Sequence, residues 1–122
     1  MTGNNRKQNR IALALVLTAT GLLALPAQAT AQGNRCSDEA ASLRRAESQL
    51  PRLEVAPPGD QQIVCITLET NILFARRMSA HLAQCPHSPH ARNGHTWQRT
   101  GSQYTAQFSE RRCKPAIRGY RG

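Results

Sequence analysis

Apolar residues recur every three or four positions through the middle of the chain, between residues 61 and 85. The stripe consists of Val64, Leu68, Ile72, Ala75, Met78 and Leu82. Spacing of this kind, sustained over such a length, predicts an amphipathic α-helix. Asp60 is a suitable N-cap, and Pro86 is placed to end the helix. The β-branched opening at residues 63–67 also permits a strand, and that alternative stays open.

A shorter stripe of apolar residues precedes this central segment. Its members are Ala40, Ala41, Leu43, Ala46 and Leu50. The spacing predicts a first helix over about 37–50, after a polar lead at 30–35. Ser37 would cap this helix, and the acidic residues that follow suit the positive end of its dipole. Residues 57–59, Pro-Pro-Gly, separate this helix from the central one.

The pattern after the central segment is ambiguous. Residues 86–101 are rich in Pro, His, Gly and Asn and predict a loop. A third helix over about 103–113, capped by Ser102, would place Tyr104 and Phe108 on one face. The alternation of the same residues after a Thr-Gly-Ser turn also fits a β-hairpin. We favour the helix and expect a flexible basic tail at 114–122.

The N-terminus has the three parts of a secretory signal peptide. Three basic residues, Arg6, Lys7 and Arg10, precede an uncharged apolar run at residues 11–25, and small residues in an A-x-A pattern follow the run. The run is shorter than the roughly 20 residues of a membrane span. We therefore predict a signal peptide at 1–29, cleaved after Ala29 or alternatively after Ala31, and no stable membrane span afterwards. The expected location is the bacterial periplasm or the exterior.

Four cysteines in a small exported chain predict two disulfides, because such a domain has little core to stabilise it. Antiparallel helices would place Cys36 level with Cys85, and Cys113 level with Cys65. On an intact helix Cys65 and Cys85 are about 30 Å apart, whereas a disulfide requires Cα atoms within about 7 Å. The predicted pairs are therefore Cys36–Cys85 and Cys65–Cys113.

These elements together predict an all-α fold over residues 36–113. We expect a small disulfide-stapled helical hairpin or three-helix domain. The alternative is two helices followed by a C-terminal β-hairpin.

Charge is unevenly distributed along the chain. The formal net charge is +9, and cleavage after Ala29 would lower it to about +6 by removing three basic residues. Most acidic residues precede residue 76, and most basic residues follow it. The candidate anion-binding residues are Arg76, Arg77, Arg92, Arg99, Arg111, Arg112 and Lys114, with Arg118 and Arg121 in the tail. In an exported protein they suit an acidic protein, a polysaccharide or lipid headgroups rather than nucleic acid.

Four histidines close together provide a second hypothesis. These candidate metal ligands are His81, His87, His90 and His95. Imidazole binds zinc, copper and nickel, and such spacing permits chelation. A periplasmic metal-binding protein is therefore the alternative function. Cys85 would contribute no thiolate if it forms a disulfide.

The chain has no motif typical of an enzyme. The C-x-x-C, G-x-S-x-G and H-E-x-x-H patterns do not occur. Glu69 is the one acid within the apolar stretch, and we predict a surface position or an ion pair with Arg76 or Arg77. No catalytic residue and no cofactor are assigned. The pattern favours a non-catalytic interaction or structural protein of the cell envelope with a basic C-terminal face.

Overall fold

The computed structural model describes residues 24–119, with side chains described from residue 31 onward. Within that range the chain forms three helices: α1 (Ala24–Ser48), α2 (Gln61–Gln84) and α3 (Gly94–Glu110). Short 3₁₀ turns at Leu53–Val55 and Pro89–Asn93 precede α2 and α3. The described residues contain no strand. The all-α prediction is confirmed, and both strand alternatives are wrong.

Helix α2 has the bounds that its end signals predict. The Asp60 carboxylate accepts a hydrogen bond from the Ile63 amide at 3.1 Å, which satisfies one unpaired donor of the first turn. At the other end, the Cys85 amide donates to the His81 carbonyl at 2.7 Å before Pro86 breaks the helix. Most of the buried core residues lie on α2, which is therefore the central element.

Two hydrophobic clusters hold α1 and α3 against α2. One cluster places Phe108 of α3 on Val64, Leu68 and Ile72. The other consists of Leu43 of α1 with Phe74 and Met78 of α2, joined by Trp97 of α3, Leu82, Ala46 and Leu50. Phe74 and Trp97 meet edge to face, with ring centroids 4.6 Å apart. Both neighbours run antiparallel to α2.

Helix α3 begins well before the predicted start, because residues predicted as loop are helical from Gly94 onward. Ser102 is not its cap, since its hydroxyl lies inside the helix and donates to the Gln98 carbonyl. Gly101 lies within α3, where it allows close packing and does not form the predicted turn. A Cβ atom at Gly101 would lie 3.0 Å from the Ala75 Cβ, and one at Gly94 would lie 2.9 Å from the Leu82 Cδ1. These glycines allow α3 to approach α2 closely.

Helix α1 is longer than predicted at its N-terminal end. It runs through residues 30–35, so the predicted polar lead is helical and Ser37 is an interior residue rather than a cap. The helix also passes through the predicted cleavage point. Residues 1–23, which make up most of the predicted signal peptide, lie outside the described residues. No helix in the described part of the chain has the length and apolarity needed to cross a membrane.

Both predicted disulfides are present. Cys36 pairs with Cys85 at a Cα–Cα distance of 5.8 Å, and Cys65 pairs with Cys113 at 5.5 Å. No cysteine is free. Disulfides persist in oxidising compartments, so the pairing indicates a location outside the reducing cytosol.

Candidate functional site

The predicted basic residues do not form one patch. Arg92 lies in the 3₁₀ turn before α3, whereas Arg111 is the residue that follows α3. The 17 residues of α3 span about 25 Å, so the two guanidinium groups mark opposite ends of the domain. Arg99 is exposed on α3 between them.

Two further arginines of the predicted set lie in the middle of α2. The Arg77 guanidinium donates to the Ser42 hydroxyl of α1 at 2.9 Å and so links two helices. Arg76 lines a shallow groove between α2 and α3, together with Trp97 and Gly101. Both are exposed and separate from the C-terminal end of α3.

Positive charge is concentrated in residues 111–118, which we call the basic segment. It contains Arg111, Arg112, Lys114 and Arg118, and all four side chains are exposed. Within residues 24–119, no ion pair joins any of them to an acid. Arg121 lies outside the described residues. The basic segment is therefore the densest set of unneutralised cations that the structure describes.

The basic segment starts with a sharp, hydrogen-bonded helix end. The Cys113 amide donates to the Phe108 carbonyl at 3.0 Å, and the Arg112 amide donates to the Ser109 carbonyl at 2.9 Å. This is the paired arrangement of a Schellman motif. Its left-handed position, usually a glycine, is occupied by Arg112 at a φ of 54°. A non-glycine residue in that conformation costs about 1 kcal/mol.

Two contacts then fix the segment to the start of α2. The Cys65–Cys113 disulfide joins the residue after Arg112 to the first turns of α2. The Gln61 side-chain Nε2 donates to the Arg111 carbonyl at 2.7 Å. The basic segment is consequently held at the end of the domain where α2 begins and α3 ends.

Glu69 supplies a third anchor for the basic segment. Its side chain is 1% exposed, so the predicted surface position is wrong. The carboxylate accepts hydrogen bonds from the Ala116 amide at 3.0 Å and from the Ile117 amide at 2.9 Å. Backbone donors thus compensate the cost of burying this charge. The predicted tail at 114–122 is anchored at residues 116 and 117 rather than free there.

The rings of His81 and His90 meet edge to face with their centroids 6.1 Å apart, but the four histidines are not gathered around one point. His81 and His90 are buried, whereas His87 and His95 are exposed. The His90 Nε2 donates to the Ala40 carbonyl of α1 at 2.9 Å. Among the described side chains, no group of three His, Cys, Asp or Glu residues is placed to hold a metal. The arrangement therefore offers no preformed metal site.

A partly buried set of polar side chains at the other end of the domain, Glu39, His81 and Ser88, was not indicated by any sequence motif. The His81 Nε2 is hydrogen-bonded to the Ser88 hydroxyl at 2.7 Å, whereas its buried Nδ1 lies 3.4 Å from the Glu39 carboxylate without forming a hydrogen bond within the described residues. The order carboxylate, imidazole, hydroxyl also occurs in serine hydrolases. Here the Ser88 hydroxyl caps the 3₁₀ turn by accepting the His90 amide at 3.3 Å. The side chains of Glu39, His81 and Ser88 belong to α1, the end of α2 and the following loop, respectively.

No protein-family model, curated protein or solved structure matches this chain.

Proposed function

We propose that this chain is an exported, non-catalytic protein of the bacterial cell envelope, periplasmic or secreted, that binds an anionic partner through its basic segment. The partner presents carboxylate, phosphate or sulfate groups, as an acidic polysaccharide, a lipid headgroup surface or an acidic protein does. The observation that carries the proposal is the fixed position of Arg111, Arg112, Lys114 and Arg118. A flexible tail would provide the same charge without this constraint.

Preorganisation favours a recognition role for the segment. Ordering a flexible chain on binding costs free energy, and a segment already held in place avoids most of that cost. Arg112 supports this interpretation, because a cation occupies a left-handed position where glycine would fit with less strain. Exposed cations also accelerate encounter with an anionic surface, an effect that salt weakens.

Two features support the proposed location. The N-terminal sequence has the layout of a cleavable signal peptide, and the disulfides belong to an oxidising compartment. Such a compartment contains anionic lipids and polysaccharides at its boundaries.

The test compares two triple variants with the same net charge. One variant carries Arg111→Gln, Lys114→Gln and Arg118→Gln in the basic segment. The control carries Arg35→Gln, Arg45→Gln and Arg99→Gln, three exposed arginines outside it. Binding is measured against phosphatidylglycerol vesicles, phosphatidylcholine vesicles and polygalacturonate, each over a range of salt concentrations.

We expect the segment variant to lose most of its affinity for the anionic probes, whereas the control retains most of it. Salt should weaken the wild-type interaction, and phosphatidylcholine should bind neither variant. Equal losses in the two variants would mean that net charge alone drives binding. That result, or no binding to any anionic probe, would contradict the proposal.

A further inference from the structure

A groove at the opposite end of the domain from the basic segment lies between α1 and the loop that follows α2. Its volume is about 690 Å³, within the range of about 300–1,000 Å³ typical of small-molecule sites. Its walls include the Cys36–Cys85 disulfide, Ala41 and Pro86. Such walls are mainly apolar and suit the apolar body of a ligand.

The charged residue that lines the groove is Arg44, and the other polar lining residues are neutral amides, hydroxyls and the imidazole of His87. None of the described lining residues is acidic. Arg44 is exposed on α1, and its guanidinium can pair with a carboxylate or phosphate in two parallel hydrogen bonds. An apolar wall beside an arginine suits a ligand with an apolar body and an acidic head.

The walls of the groove are fixed before any ligand arrives. The disulfide joins α1 to the end of α2 at Cys36 and Cys85. Behind the wall, the His90 Nε2 is hydrogen-bonded to the Ala40 carbonyl, and the Ser88 hydroxyl is hydrogen-bonded to the His81 Nε2. The Ser88 hydroxyl is hydrogen-bonded to the His81 Nε2 and accepts the His90 amide, so it stabilises the wall of the groove and is not assigned to ligand binding. A preformed site binds without the cost of ordering its own loop.

We propose that this groove binds an anionic amphiphile, a molecule with a single apolar chain and one carboxylate or phosphate head. The chain lies along the disulfide and the alanine and proline side chains, and the head pairs with Arg44. This site is separate from the basic segment, and it does not rest on the function proposed above.

The test uses three probes with the same dodecyl chain, each below its micelle concentration. Laurate carries a carboxylate, dodecyl maltoside is neutral and dodecyltrimethylammonium is a cation. Binding is measured by titration calorimetry on the mature, disulfide-bonded chain. We expect saturable binding of laurate with one site per chain and much weaker binding of the other two.

Two variants locate the site. Arg44→Gln should weaken laurate binding by at least about tenfold, because glutamine cannot form the two parallel charge-assisted hydrogen bonds of the guanidinium. Arg45→Gln changes the neighbouring arginine, which does not line the groove, and should leave the affinity nearly unchanged. Ala41→Trp should fill the groove and abolish binding while the exposed position keeps the fold intact, as circular dichroism would verify.

Equal binding of laurate and the cationic probe would overturn the proposal, as would equal effects of the two arginine variants. A concentration-dependent dimer that Ala41→Trp dissociates would also overturn it, because a second copy would then occupy the groove. The triple variant of the basic segment should bind laurate like the wild type. Loss of laurate binding in that variant would place the laurate site on the basic segment and would overturn the groove proposal.

Discussion

At the scale of single residues, Glu69 has the largest structural role that the sequence did not indicate. An acid within an apolar stripe is usually exposed at the edge of the stripe, so the pattern favoured the surface. The structure instead buries the carboxylate and directs two backbone amides of the C-terminal segment at it. The partners lie 47 and 48 residues away along the chain, so local spacing could not reveal them.

We expect Glu69→Gln to lower the free energy of unfolding by about 2 kcal/mol, because hydrogen bonds to a charged acceptor are replaced by weaker ones. The amide also has only one acceptor oxygen. Urea denaturation measures the loss. Glu110→Gln is the control, since Glu110 is exposed on α3, and it should have little effect.

Hydrogen exchange distinguishes a local loss of the Glu69 contacts from a loss of stability across the whole domain. Under native conditions, Glu69→Gln should accelerate exchange of the Ala116 and Ile117 amides far more than that of amides in the middle of α2. Uniform acceleration across the domain would contradict the anchoring role of Glu69.

Arg112 presents an opposition between stability and binding. Arg112→Gly removes the strain of a left-handed non-glycine residue and should stabilise the fold by up to about 1 kcal/mol. The same change removes one cation of the basic segment and should weaken binding to anionic vesicles. Paired measurements of the melting temperature and vesicle affinity check both effects. A less stable variant would show that the Arg112 side chain makes a compensating contact.

Tyr104 makes the stability of the fold depend on pH in the alkaline range. Partial burial, and secondarily the nearby Glu54 carboxylate, raise the pKa of Tyr104 above its usual value of 10.0. The folded state therefore favours the neutral phenol more than the unfolded state does. The resulting stability is complete below the unfolded pKa and is lost as pH rises through the folded pKa. Tyr104→Phe should reduce the fall in melting temperature above about pH 10 relative to the wild type. Identical alkaline profiles would exclude Tyr104 as the cause.

At the scale of elements, the signals at the ends of helices determined which predictions succeeded. Helix α2 has an aspartate cap, a long apolar stripe and a closing proline, and each agrees with the others. Helix α3 starts in a segment where glycine, histidine and asparagine suggested a loop. Its glycines are required by contacts with α2, and a single sequence cannot distinguish that requirement from a turn.

The contacts of the buried histidines could not be predicted from the sequence for a similar reason. Their spacing along the chain was compatible with chelation, but the end of α2 and the following turn direct them to different partners. His81 faces Ser88, and His90 faces the α1 backbone. The contacts with α1 are tertiary, so spacing in the sequence could not reveal them.

The close approach of α3 to α2 makes Gly101 testable. Alanine at this position would gain about 1 kcal/mol of helix propensity but would meet the Ala75 Cβ at 3.0 Å. Neither methyl group can rotate away, and overpacking of this kind costs about 1–3 kcal/mol. We therefore expect Gly101→Ala to destabilise the domain modestly, as measured by urea denaturation.

Gly33 of α1 provides the matched control. A Cβ at Gly33 has no atom within 4 Å, so Gly33→Ala should be neutral or slightly stabilising. Equal stabilisation by both substitutions would mean that α2 and α3 can separate without cost.

At the scale of the whole molecule, each disulfide secures one end of α2 and one proposed site. The Cys36–Cys85 bridge forms a wall of the groove, and the Cys65–Cys113 bridge holds the basic segment. The pairing was predictable because the length of an intact helix excludes a bond between Cys65 and Cys85, and antiparallel packing favours Cys36–Cys85 and Cys65–Cys113 over the remaining alternative. The sites themselves were not predictable, because each combines residues from distant parts of the chain.

Removing the bridges one at a time should separate stability from binding. The sequence separations are nearly equal, 49 and 48 residues, so loop closure predicts a similar loss of about 4 kcal/mol for each pair of Cys→Ala substitutions. Binding should differ, because only the loss of Cys65–Cys113 frees the start of the basic segment from α2. Vesicle affinity, measured where both variants remain folded, should fall in the Cys65/Cys113 variant and persist in the Cys36/Cys85 variant. If both variants bind vesicles equally well, positive charge suffices without a fixed segment, and the role assigned to preorganisation is wrong.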